Sequence, residues 1–130
     1  AAFRKEENLN LESLAYPSAD KQFLQSIIDS IEQHFEEPKF DLEQLAAEKR
    51  MSKSTLYRKI KSMTGMTPLD FIRNIKMKRA CMMLLSGSYN ISEVAYAVGF
   101  STPKYFSRCF KDEFGITPSE YLQKHGGDGR

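Results

Sequence analysis

Residues 52–72 read SKSTLYRKIKSMTGMTPLDFI, and residues 102–122 read TPKYFSRCFKDEFGITPSEYL. A shift of 50 superimposes them, pairing Leu56 with Phe106, Arg58 with Arg108, Ile60 with Phe110 and Lys61 with Lys111. The same shift pairs Gly65 with Gly115, Thr67 with Thr117, Pro68 with Pro118 and Phe71 with Tyr121. Upstream the repeat continues at a shift of 49, matching Leu42 to Ile91, Leu45 to Val94, Ala46 to Ala95, Met51 to Phe100 and Ser52 to Ser101. A short helix, a turn and a longer basic helix, written twice, suit a ligand that is itself periodic. Duplex DNA is such a ligand.

Working outward, every apolar run has helical spacing and none has strand character, so the class is all-α. A first helix is expected over about 19–35, with Phe23, Leu24, Ile27, Ile28 and Ile31 on one stripe. Asp41 caps a short helix from 42 to about 49 whose inner face is Leu42, Leu45 and Ala46. After a turn at Arg50 and Met51, Ser52 caps a helix that ends at Gly65, a left-handed terminator. Thr67 and Pro68 open a long helix to about 85, with Leu69, Ile72, Met77, Ala80, Met83 and Leu84 available for burial. Ser86, Gly87 and Ser88 break it. Asn90 caps the second short helix, to about 98, and Gly99 makes its turn. Ser101 or Thr102 caps the next helix, with Pro103 in its first turn and Gly115 at its end. Thr117 and Pro118 open a closing helix to about 125. Residues 1–18 read as a polar linker and 126–130 as a disordered tail, leaving 19–125 as the folded domain. Within it, one helix-turn-helix spans about 42–64, the linker helix about 67–85, the second helix-turn-helix about 90–115 and the closing helix about 117–125.

The 130 residues make one domain's worth of chain. Each repeat alone is near the size at which a core becomes marginal, so the halves are expected to share structure. The apolar fraction of 41% is ordinary, and no run approaches a membrane span. The start has no signal-peptide core, and Cys81 and Cys109 read as reduced buried thiols; both observations point to the cytoplasm. The net charge of +2 conceals an asymmetry. Residues 20–48 hold eight acidic and two basic residues, a balance of −6. Residues 49–79 hold ten basic residues against Asp70 alone, a balance of +9. Residues 80–125 balance at zero. The basic block starts at a turn and runs through two helices, as a polyanion surface would.

Ser54, Tyr57, Arg58 and Lys61 fall at i, i+3, i+4 and i+7, so they share a helix face opposite Leu56, Ile60 and Met63. Lys104, Ser107, Arg108 and Lys111 repeat that polar face opposite Phe106, Cys109, Phe110 and Phe114. Cations and small hydrogen-bonding groups suit the major groove, where arginine can take guanine O6 and N7 together. The linker helix, 19 residues from 67 to 85, would be roughly 28 Å long at 1.5 Å per residue. Adjacent major grooves on one face of DNA are about 34–36 Å apart. With the widths of the helices added, such a strut can set two reading helices one turn apart. Its Lys76, Lys78 and Arg79 are equally suited to phosphate and to the acidic first helix. Ser52, Lys53, Thr67, Thr102 and Thr117 sit at helix starts, where free N–H groups and the helix dipole favour phosphate. Their other role is capping, which for Thr67 and Thr117 is the preferred one. Lys61 and Lys111 complete the set of candidate backbone contacts.

The stretch VGFSTPKYFSRCFKDEFGITPSEY, residues 98–121, resembles the signature of the AraC/XylS family of bacterial transcription regulators. LAAEKRMSKSTLYRKIKSMTGMTPLDFIRNIKMKRACMMLL, residues 45–85, resembles that family's first helix-turn-helix and linker helix. The resemblance covers about residues 20–125. It implies a seven-helix double helix-turn-helix that binds adjacent major grooves and often bends the DNA. It also implies base reading from the exposed faces of the third and sixth helices. On this chain those positions are Ser54, Tyr57 and Arg58, then Pro103, Lys104, Ser107 and Arg108. Pro103 departs from a hydrogen-bonding reader, so the second head is expected to read fewer bases or to read through Lys104 and Arg108. The phrasing from Met51 to Ala80 resembles the C-terminal output domain of hybrid two-component regulators, which place a sensor, a histidine kinase and a receiver ahead of it. A free-standing short regulator is the other form.

The main alternative is a helical protein-interaction module that uses its basic face on an acidic partner. Such a module has no need of duplicated basic heads. Enzyme chemistry is not expected of this fragment. His34 and His125 stand alone, and no catalytic triad, glycine-rich phosphate loop or metal-ligand spacing occurs. No cofactor and no metal are expected. Tyr57 and Tyr105 are single aromatics rather than a stacking platform, which argues against RNA. The expected partner is double-stranded DNA, with RNA polymerase a candidate second partner and no membrane contact by this fragment. Two heads in one chain also predict an isolated domain that is monomeric.

Overall fold

A computed structural model of the chain describes residues 18–125. The linker and tail expected at the two ends lie outside the described residues, apart from Ser18. Seven helices and no strand occur among the described residues. They are α1 (Ser18–Gln33), α2 (Leu42–Glu48), α3 (Lys53–Thr64), α4 (Pro68–Ser86), α5 (Ile91–Ala97), α6 (Pro103–Phe114) and α7 (Pro118–His125). The fold is all-α, as the periodicity predicts.

The helix boundaries follow from side-chain chemistry. Asp41, Ser52, Asn90 and Thr102 each accept a hydrogen bond from a backbone N–H in the first turn of the helix they precede. Thr102, not Ser101, is therefore the cap of α6. Gly65 and Gly115 end α3 and α6 in the left-handed conformation, at φ 77 and 84. In both copies the short helix turns into the long one through the same bond: Met51 N–H donates to the Ala46 carbonyl, and Phe100 N–H to the Ala95 carbonyl.

The chain forms two compact units. The first holds residues 18–34 and Lys39–Ile75. Leu24, Ile27 and Ile31 of α1, Leu45 and Ala46 of α2, Leu56 and Ile60 of α3, and Phe71, Ile72 and Ile75 of α4 are buried in it. Here α1 is tied to α2 by polar contacts. His34 lies flat on Phe40, ring centroids 4.2 Å apart, and its Nε2 donates to Glu48 Oε2 at 2.6 Å. Lys49 Nζ donates to Ser26 Oγ. Buried Thr64 is satisfied at both ends, donating to the Ile60 carbonyl and accepting from Met66 N–H.

The second unit holds Phe35–Pro38 and residues 76–125. Met77, Ala80, Leu84, Val94, Ala95, Val98, Phe100, Phe106, Cys109 and Phe110 form its core. Aromatic rings continue that core outward. Phe106 lies 5.8 Å from Phe110, which meets Phe114 at 4.7 Å and Tyr121 at 5.5 Å. Burial, and the Cys81 thiol beside it, push the Tyr121 hydroxyl up to about 12. Both cysteines are free thiols; Cys109 is buried and Cys81 half-buried.

Three expectations need correction. Helix α1 ends at Gln33, two residues before the expected Phe35. His34 N–H already turns back to the Ile31 carbonyl, and Phe35 is buried within the second unit instead. Leu69, expected to be available for burial, is 64% exposed. It sits in the first turn of α4, where Phe71 and Ile72 take the buried positions. Cys81, expected to be a buried thiol, is half-buried against the core of the second unit.

Candidate nucleic-acid interface

In the first unit, the cap at Ser52 fixes where α3 begins, and Leu56, Ile60 and Thr64 anchor one side of it. Ser54, Tyr57, Arg58 and Lys61 therefore stand on the other side, all exposed. In the second unit, Phe106, Cys109 and Phe110 anchor α6. Lys104, Arg108 and Lys111 are exposed, while Pro103 and Ser107 are half-buried. Pro103 is the first residue of α6, so the N–H it lacks is one that no helical bond would use. The candidate readers thus form two sets, one per unit.

The charges of these sets are not neutralised within the described chain. Lys53, Arg58, Lys61, Lys104, Arg108 and Lys111 form no ion pair with another described residue. Exposed guanidinium groups without a carboxylate partner remain available to an anionic ligand. Lys111 does contribute to the electrostatics of its own unit. The Thr117 backbone N–H and the Lys111 charge help hold the Glu120 carboxyl below its ordinary value.

The hydroxyls at the helix starts are already occupied as caps. Ser52 Oγ accepts from Thr55 N–H and donates to Thr55 Oγ1. Thr102 Oγ1 accepts from Tyr105 N–H at 3.1 Å, and Thr67 Oγ1 from Asp70 N–H at 3.2 Å. Thr117 and Glu120 cap reciprocally, each side chain accepting from the other's N–H. The preferred role of Thr67 and Thr117 is thus the observed one. The linker-helix cations have aromatic neighbours in the second unit: Lys76 Nζ lies 5.7 Å from the Phe100 ring and the Arg79 guanidinium 5.3 Å from the Phe35 ring.

Two further features lie beside the candidate reading faces. Thr55, Arg58, Lys59 and Ser62, with Asp20 of α1, line an open hollow of about 400 Å³ beside the α3 reading face. Their spacing of i, i+3, i+4 and i+7 was a usable signal. Lys59 Nζ sits over the Phe23 ring at 4.9 Å, so its stem is held against α1. The second feature is Tyr105, exposed in the first turn of α6 with its ring 5.5 Å from Phe100.

No group of three or more His, Cys, Asp or Glu residues that could hold a metal occurs among the described residues. No helix there is long and apolar enough to cross a membrane.

The model of a family described as a helix-turn-helix domain matches residues 45–124. The histidine kinase P4 of Formosa agariphila is 36% identical over 125 residues, which cover 96% of this chain and 9% of that protein. This chain therefore spans about a tenth of that relative's length. The C-terminal domain of AraT, a response regulator from Geobacillus stearothermophilus, superposes with a TM-score of 0.74 at 30% identity. That match covers 81% of this chain and 87% of that one. The DNA-binding domain of the global transcriptional factor AdpA, solved with a target DNA, superposes with a TM-score of 0.70 at 31% identity, covering 78% and 90%.

Proposed function

The chain belongs to the AraC family of helix-turn-helix transcription regulators, and on that premise we propose that it binds double-stranded DNA sequence-specifically with α3 and α6 as its two reading helices. The observation that carries this reading is the pair of exposed, cation-bearing faces on α3 and α6, reached through the same backbone turn in each copy. Arg58 and Arg108 are the principal base readers, supported by Ser54 and Tyr57 on α3 and by Lys104 and Ser107 on α6. Pro103 adds shape rather than a hydrogen bond. Ser52, Lys53, Lys61, Thr67, Thr102, Lys111 and Thr117 contact the backbone, the hydroxyl residues doing so while they cap. The 19 residues of α4 support the spacing needed to enter adjacent major grooves.

This fragment is the output module of a larger signal-responsive protein. Its likeness to a histidine kinase and to a response regulator's C-terminal domain supports a two-component origin. In that setting the module acts in the cytoplasm as a monomeric unit, RNA polymerase is a second partner, and any kinase activity belongs to other parts of the full-length chain.

The test is fluorescence anisotropy of a labelled random 30-base-pair duplex and of a single strand of the same length, each at two salt concentrations. Duplex binding that tightens steeply at low salt and exceeds single-strand binding is expected. Absence of duplex binding would return the basic face to the protein-interaction reading.

A further inference from the structure

The second unit carries an open groove of about 580 Å³ lined by Glu36, Pro38, Tyr89, Glu93, Tyr96 and Phe100. Tyr89 and Tyr96 are 46% and 52% exposed. Two large rings grouped around one hollow are unlike apolar residues scattered singly over a surface, and such grouping marks an interaction site. The groove's ionisable lining is acidic, with two carboxylates and no cation. Glu36 is exposed. Glu93 accepts from Asn90 N–H at 2.9 Å in the cap of α5, which leaves acceptor capacity on its carboxylate. With two carboxylates and no cation in its lining, the groove is a poor phosphate site, although Lys76 Nζ lies 5.7 Å from the Phe100 ring.

The repeat sharpens the point. At the shift of 49, Tyr96 corresponds to Ala47, Glu93 to Gln44, and Tyr89 to Phe40. Phe40 is buried beneath His34. The first copy builds the same turn with a one-sided cap at Asp41, without exposed rings or a carboxylate at the Glu93 position, so helix-turn-helix architecture does not require them.

We propose that this groove docks a cationic amphipathic segment of a partner protein. The segment's arginine or lysine would lie by the rings of Tyr89 and Tyr96 and the carboxylates of Glu36 and Glu93, with an apolar side chain against Phe100. Tyrosine beside a cation combines ring attraction with buried area, and carboxylates add charge complementarity. The groove reaches Ser101, next to the Thr102 cap of α6. A docked partner therefore sits beside the second candidate reading helix. The inference does not depend on DNA reading, and its main titration is done without DNA.

The experiment titrates the isotopically labelled chain with two synthetic peptides of equal length, one with arginine and leucine at helical spacing and one with glutamate in place of arginine. Amide shifts at Tyr89, Glu93, Tyr96 and Ser101 are expected with the arginine peptide only. Tyr96→Ala, checked for unchanged helicity, weakens that binding by about tenfold or more. Glu36→Gln weakens it by a smaller factor and reduces its salt dependence. Equal response to both peptides, shifts mapping elsewhere or no shifts would overturn the proposal. So would shifts at Tyr96 that grow with protein concentration alone, which mean a second copy fills the groove, or a short duplex that shifts these same amides.

Discussion

A Cβ placed on Gly99 would lie 2.0 Å from the backbone carbonyl oxygen of Phe35. The residue also holds φ at 91, in the region that side chains avoid. The turn between α5 and α6 thus packs directly against the segment that follows α1. The corresponding turn in the first copy holds Arg50 at φ 57, exposed. Gly99→Ala is expected to cost about 2–5 kcal/mol, combining backbone strain with an overpacked contact. Gly115→Ala, at φ 84 with nothing within 4 Å of the added carbon, is expected to cost about 1–2 kcal/mol. Urea unfolding of the two variants checks the contrast, and equal losses would mean that the Phe35 contact carries no weight.

Phe110 is fully buried and meets Phe106, Phe114 and Tyr121. Phe110→Ala is expected to lose about 3–5 kcal/mol of stability by leaving a cavity at the centre of that stack. Base preference of the fraction that remains folded should be unchanged, because Phe110 lies on the anchored side of α6. Denaturant midpoints together with DNA-binding titrations of the folded fraction would separate the two effects.

Much of this architecture was legible in the sequence because caps and terminators act locally. Asp41, Ser52, Asn90, Gly65 and Gly115 each mark a boundary through a bond or a φ angle that few residue types supply. The reciprocal cap of Asn90 with Glu93 has the same local character, carried by a spacing of three residues. Burial along α4 was harder. The helix buries Phe71, Ile72 and Ile75 in the first unit and Met77, Ala80 and Leu84 in the second, and these do not fall on one stripe. A single-face reading therefore gave Leu69 a place that tertiary packing assigns to its neighbours. The exposed cationic faces of α3 and α6 were legible because the anchored faces opposite them repeat. The groove at Tyr89 and Tyr96 was not, because Glu36 and Pro38 reach it from a distant part of the chain.

Glu48 gives a pH prediction. Burial pushes its carboxyl up, but hydrogen bonds from His34 and Ser30 and the charges of His34 and Lys49 outweigh this and hold it below the ordinary 4.5. A carboxylate depressed on folding adds stability above its unfolded pKa, and that contribution is lost as pH falls through the folded value. The window is therefore below 4.5, and partial exposure makes the effect small. His34→Ala is expected to return the Glu48 titration toward its ordinary value and to raise the midpoint of acid unfolding. Carboxyl chemical shifts followed against pH check this; an unmoved titration would remove His34 as the cause.

Arg58→Ala and Arg108→Ala are each expected to cost about 1–3 kcal/mol on the preferred DNA and to relax selectivity at one position. Lys53→Ala should weaken all sequences alike and reduce the salt slope by about 1. Competition binding against random duplex distinguishes these outcomes. Equal loss on specific and random DNA for Arg58→Ala would move that residue to the backbone set.

The most direct measurement for paired reading is selection of bound sequences from a random duplex library at two salt concentrations. Two short enriched motifs about 10–10.5 base pairs apart are predicted, one for α3 and one for α6. Salt-steep binding with no enriched motif would contradict the account and leave a general polyanion binder.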